Sequence, residues 1–118
     1  MKIRILTATT EKESKRGCHL TEENLKQLAD TKGCTPVTWC FDTRQTLGQV
    51  INKEITPSGL VVTVEVAERV LPLILEVKVY LVPGYFDMKG KLSLVEVAFT
   101  LNPVDLTLPH IETHHIMD

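Results

Sequence analysis

Hydrophobic and polar positions alternate with period two through most of this chain, and a helical period occurs in one short stretch. At the start, Ile3 and Ile5 alternate with Lys2 and Arg4, which predicts a half-buried strand over residues 1–9. Leu60, Val62, Val64 and Val66 alternate with Val61, Thr63 and Glu65 in the same way. The preceding Thr56-Pro57-Ser58-Gly59 has proline and glycine where a type I turn takes them, so a strand over residues 48–55 is predicted to enter that one as a hairpin. Leu75, Val77, Val79 and Leu81 alternate with Glu76, Lys78 and Tyr80, predicting a long strand that delivers Val82. After a turn at Asp87-Met88-Lys89-Gly90, Leu92 and Leu94 share one parity, whereas Val95, Val97, Phe99 and Leu101 share the other. Such a switch would send the two halves to opposite faces unless an extra residue intervenes, so a β-bulge is predicted between Leu94 and Val95.

The helical stretch follows Thr21, a good N-cap, with Glu22 and Glu23 in the first turn and Leu20 and Leu25 placed as a hydrophobic staple. Leu25, Leu28 and Ala29 share one face, and Gly33 can end the helix. Residues 66–75 read as either a helical turn broken by Pro72 or a loop. Residues 10–17 are polar and charged and read as an exposed loop. Past Asn102 there are two prolines, Pro103 and Pro109, and little periodicity, which predicts one β-rich domain over residues 1–103 and an extended arm over 104–118. The fold class is a β-rich α+β domain, most simply a small closed or nearly closed antiparallel β-barrel with one short covering helix.

Composition narrows the function more than the fold. A chain of 118 residues with 43% hydrophobic and 24% charged residues can bury a core without a metal or disulfides. A formal charge of -2 leaves no basic excess for neutralising phosphates, and Lys12, Lys15 and Arg16 are interleaved with Glu11 and Glu13, so no nucleic-acid partner is predicted. No apolar run is long enough to cross a bilayer and the first residues turn polar too quickly for a signal peptide, so no membrane partner is expected and a cytoplasmic start is. Cys18, Cys34 and Cys40 are read as buried free thiols. His110, His114, His115 and Glu112 invite a zinc reading, and Cys18 with His19 a weaker one. Neither has a companion group at structural-zinc spacing, so no metal and no cofactor is predicted.

Four segments, in order, carry a resemblance. They are Leu20-Thr21-Glu22-Glu23-Asn24-Leu25, Thr38-Trp39-Cys40-Phe41-Asp42 leading into Gly48-Gln49-Val50, Tyr80-Leu81-Val82-Pro83-Gly84-Tyr85-Phe86, and Leu94-Val95-Glu96-Val97-Ala98-Phe99-Thr100-Leu101-Asn102-Pro103. Together these resemble the prohead (capsid-maturation) serine proteases of tailed bacteriophages, whose barrel is of the herpesvirus-assemblin type. That family usually reads His-Asp ahead of a Gly-x-Val strand, Leu-Ser-x-Gly-Phe around its nucleophile, and Leu-x-Glu-Val-Ser-Leu-Val-x-x-Pro near the domain end. Here Phe41 stands where the histidine would be and Val82 where the serine would be, while Pro83 removes a backbone N–H beside that position. Only Glu96 could keep an ancestral polar role.

The resemblance therefore implies a domain without that protease mechanism. It suggests a non-enzymatic structural protein, a capsid decoration or cement protein that forms homo-oligomers and binds the major capsid protein or another head-shell protein. Such a protein takes no small-molecule substrate and passes from the host cytoplasm into the virion. The alternatives are a divergent active maturation protease, with His19 or His110 and Ser93 as substitute reagents, and a scaffold or adaptor module of head assembly. Trp39, Phe41, Tyr85 and Phe86 are expected to converge at the former cleft, with Phe41 filling it. Tyr85, Phe86, His110 and His114 are the expected partner-binding residues.

Overall fold

The computed structural model describes residues 1–10 and 20–117. The charged stretch from Glu11 onward, Cys18 and His19 lie outside the described residues. The strands are β1 (Lys2–Ala8), β2 (Pro36–Trp39), β3 (Asp42–Thr56), β4 (Gly59–Val66), β5 (Tyr80–Met88) and β6 (Lys91–Thr100), with helices α1 (Glu22–Asp30) and α2 (Leu71–Leu75). They form one curled, half-barrel sheet in the order β1-β4-β3-β2-β6-β5. Four of its pairings are antiparallel, but β2 runs parallel to β6, with Val37 opposite Val97 and Trp39 opposite Phe99. The expected purely antiparallel barrel is thus corrected to a β-rich α+β half-barrel with two short helices.

Alternation produces the core as predicted in β1 and β4, where Ile3, Ile5, Leu60, Val62 and Val64 are buried against Leu25 and Leu28 of α1. Thr21 caps α1 by accepting from the Asn24 N–H at 3.0 Å, and the Asn24 side chain accepts from the Thr21 N–H in return. The helix stops at Asp30, before Gly33, because the Thr31 backbone turns out of the helix and its carbonyl accepts from the Lys53 ammonium of β3. Beyond the end of β2, the Leu92 and Leu94 N–H groups of β6 donate to Gln27 Oε1 and Thr31 Oγ1, each at 2.9 Å. Helix side chains therefore finish a ladder that β2 is too short to complete.

The bulge falls where the parity switch put it. Gly84 pairs with Glu96 and Tyr85 with Leu94, leaving Val95 as the extra residue. Leu92, Leu94, Val97 and Phe99 can then all reach the core, while Val95 itself stays exposed. The turn at Asp87–Gly90 is likewise present, with Lys89 and Gly90 both at positive φ and the Gly90 N–H donating to Asp87 Oδ1 at 2.9 Å.

Three expectations fail for physical reasons. The long strand over residues 75–81 begins only at Tyr80, because Pro72 starts α2 rather than breaking it; proline fits a first helical turn, where its missing N–H has no partner to lose. Leu75 and Val77 are consequently exposed. The tail after Asn102 is not a projecting arm either. Ile111 donates to the Val79 carbonyl at 2.7 Å, Met117 to the Lys2 carbonyl at 3.0 Å, and Ile116 bridges to Ile3. With Leu108 and Ile111 buried, the tail is a strap along the open seam between β1 and β5. There the buried Thr7 hydroxyl donates to the Leu81 carbonyl at 2.8 Å. Cys34 and Cys40 are also exposed, not buried, since both sit in connections rather than on core faces.

Candidate contact surface

The place to which the resemblance assigns catalysis lies across β2, β6 and β5. Trp39 pairs with Asp42, so Cys40 and Phe41 alone make the turn from β2 to β3, both at positive φ (49° and 62°). Two-residue hairpins favour this geometry, but it strains residues other than glycine, asparagine or aspartate. A hydrogen bond from Cys40 N–H to the Phe99 carbonyl, 2.8 Å, holds the turn.

That turn carries Phe41 over β5. A Cβ placed on Gly84 would lie 2.9 Å from Glu96 Cγ and 3.1 Å from Phe41 Cε1, so the absence of a side chain at Gly84 lets the ring and the Glu96 chain pass close to the strand. Glu96 is 7% exposed and accepts from the Thr38 hydroxyl at 3.3 Å. Residues from the second, third and fourth resembling segments thus meet around Gly84. Val82, 8% exposed, lies two residues back on β5 and packs with Ala98 and Leu108, so the strap covers it. Phe41 and Val82 carry no titratable or nucleophilic atom, and the polar side-chain contact at this place is the one between Thr38 and Glu96.

Phe41 does not fill a cleft: it is 45% exposed, because the strained turn holds its ring outside the sheet. Nor do the four aromatic residues converge. Trp39 packs inward against Phe99, ring centroids 6.3 Å apart. Tyr85 and Phe86 are neighbours on β5 and point to opposite faces. Phe86 (59% exposed) and Met88 (67%) share the face of Gly84 and Phe41, and the bulged Val95 lies beside them, so exposed apolar side chains gather around the β5–β6 hairpin.

His110 and His114 lie at the other end of β5. His110 meets Tyr80 edge-on at 6.3 Å, whereas Ser93 pairs with Phe86. Tyr80 pairs with Thr100, so Ser93 and the Tyr80 end are roughly 20 Å apart along the strand. The substitute pair Ser93 and His110 is not brought together. Glu112 sits between two imidazoles, with its oxygens 3.6 Å from His110 Nε2 and 4.0 Å from His114 Nδ1. These groups border an open groove of about 590 Å³ with Leu75, Val77 and Lys78. Among the described residues no three metal-ligating side chains are grouped to hold an ion. The His110-to-His114 segment is not a helix that aligns residues four apart, because only a three-residue 3-10 turn, Thr113–His115, forms there.

His115, which the sequence groups with His110 and His114, is the most enclosed of these histidines by its contacts. Its Nδ1 accepts from the Glu112 N–H at 2.9 Å, and its ring lies 4.0 Å from that of His114. Burial, then the neighbouring His114, lower its pKa from the ordinary 6.5, while the Glu112 carboxylate pulls it upward. The folded state therefore binds fewer protons at His115 than the unfolded chain does. The stability contributed by the neutral ring is complete above about pH 6.5 and is lost as pH falls through the lowered folded value. Thermal melts from about pH 8 to 5 are expected to lose stability below about 6.5, and His115→Gln to flatten that decline. Equal slopes for the two proteins would rule out His115 as its source.

In comparisons with known proteins, no family model, curated protein or solved structure matches this chain.

Proposed function

We propose that this chain is a non-enzymatic structural protein of a tailed-phage virion, a decoration or cement protein on a domain of the prohead-protease type. One observation carries the reading. Around Gly84, where three of the four resembling segments meet, the ring of Phe41 stands where the resemblance would put the base, and Val82, beneath Leu108, where it would put the nucleophile. Neither side chain can donate, accept or attack, and among the described residues Glu96 has Thr38 as its one side-chain hydrogen-bond partner. The apolar side chains beside this place, Phe86, Met88 and Val95, are suited to contact with another protein, and aromatic residues are the usual anchors of interfaces. The partner is the major capsid protein or another protein of the head shell, bound repeatedly across the lattice by an oligomer of this chain.

Mass spectrometry of purified virions is expected to find many copies of the chain per particle. Absence from mature particles, or strong depletion, would instead indicate a scaffold or a protease. Incubation of the purified chain with a fluorophosphonate probe is expected to give no adduct. Labelling of Ser93, or cleavage of capsid protein by the chain, would overturn the non-enzymatic reading.

A further inference from the structure

The backbone of β5 has a direction that can be read at several points. Carbonyls of Val79 and Leu81 face away from β6, since they accept from Ile111 and from Thr7 on the opposite side. On β6, the Leu92 and Leu94 N–H groups face away from β5, toward α1, and these residues pair with Asp87 and Tyr85. Both N–H and C=O of a strand residue face the same neighbour, and direction alternates along the strand. Odd-numbered residues of β5 therefore turn their backbone groups to its outer edge.

Along that edge Val79 is joined by the strap and Leu81 by Thr7, and Pro83 has no N–H to offer. Among the described residues nothing meets the outward N–H and C=O of Tyr85 and Asp87, between Pro83 and the turn. Elsewhere the fold covers its ladder ends, with α1 at β6 and the strap at β1. An uncovered edge is a template for another strand.

We propose that a second copy of this chain pairs with the β5 edge, antiparallel and about a two-fold axis at Phe86. In this register Tyr85 of each copy faces Asp87 of the other, and every outward N–H and C=O of both residues is bonded. The register is also complementary in side chains. Phe86 meets its own counterpart, an arrangement in which the side chains of an antiparallel pair approach most closely. Met88 falls opposite Gly84, over which the Phe41 ring lies close, so a flexible thioether meets an aromatic ring across the pair. The exposed face of one hairpin thus supplies both the thioether and the aromatic ring that the other meets. An unrelated extended peptide would find only the short edge between Pro83 and the turn, without this matched pair. Asp87 recurs near the axis, but its carboxylate is turned to the Gly90 N–H of its own hairpin.

The inference concerns the purified chain alone and stands apart from the capsid reading. Sedimentation velocity of the full chain over a concentration series is expected to show a monomer–dimer equilibrium. Met88→Glu and Tyr85→Pro are each expected to raise the dissociation constant about tenfold or more. Proline at an outward-facing position removes a donor from the edge without breaking the bond pattern to β6. Leu73→Glu, on the exposed face of α2, is expected to leave the equilibrium unchanged. In a chain whose three cysteines are serines, Phe86→Cys is expected to form a symmetric disulfide under mild oxidation, and Leu73→Cys is not. A monomer at every concentration, or a dimer indifferent to Met88→Glu and Tyr85→Pro, would overturn the proposal. So would equal cross-linking at both cysteine positions. Virion binding can survive that failure, and a dimer can survive the chain's absence from virions.

Discussion

Replacing Phe99 by alanine is expected to lower the free energy of unfolding by about 3–5 kcal/mol. Phe99 is fully buried and is the largest such side chain among the described residues. It sits on β6 opposite Leu81 of β5 and Trp39 of β2, and its ring meets that of Trp39 at a tilt of 44°. Truncation removes apolar contact on both sides of the strand and leaves a space that paired strands cannot collapse to fill. Its backbone carbonyl, which alanine retains, accepts from Cys40, so any shift of β6 after truncation is passed to the strained turn under Phe41. Urea unfolding followed by the fluorescence of the one tryptophan reports both effects. For a domain stable by about 5–15 kcal/mol, such a loss leaves a marginal fold. A change below about 1 kcal/mol would mean that the β2–β6–β5 core is not packed as described.

Gly48→Ala should be nearly as severe, for a different reason. A Cβ there would lie 2.0 Å from the Glu65 carbonyl oxygen and 2.8 Å from Val66 Cγ1. Gly48 is paired on both sides, with Val37 of β2 and Val66 of β4, so neither neighbour can withdraw without opening the other pairing. A cost of about 2–3 kcal/mol is expected, and a fall in melting temperature on the order of 10 °C. Gly90→Ala makes the contrast. Nothing lies within 4 Å of the added carbon, and only the φ of 88° opposes it, so a loss of about 1 kcal/mol is expected. If calorimetry ranks Gly90→Ala as the more damaging, the close approach of β3 to β4 is wrong.

Features set by neighbours in sequence were legible before the structure. The alternation of Ile3 and Ile5, the cap at Thr21, the hairpin at Thr56–Gly59 and the bulge at Val95 each depend on a few adjacent residues. What was missed depends on distant ones. The parallel pairing of β2 with β6 is chosen by the whole sheet, and Leu108 and Ile111 are buried only because a seam lies where the strap passes. Residues 75–81 misled because the end of α2 and the start of β5 together mimic period two. At the candidate surface, Tyr85 and Phe86 were legible as exposed aromatic residues. The exposure of Phe41 was not, because it follows from a positive φ that no local residue preference announces.

The strap joins Ile116 to Ile3 and Met117 to Lys2, almost a full chain length away. Hairpins β3–β4 and β5–β6 can close on their own, whereas the seam must wait for both ends to meet. Refolding should therefore end on a step limited by chain closure, with a species whose sheet is formed but whose β1–β5 gap is unsealed. During synthesis, β1 leaves the ribosome before its partner β4 and has to remain unpaired until β4 follows. Its apolar residues are then the part of the nascent chain most exposed to wrong partners.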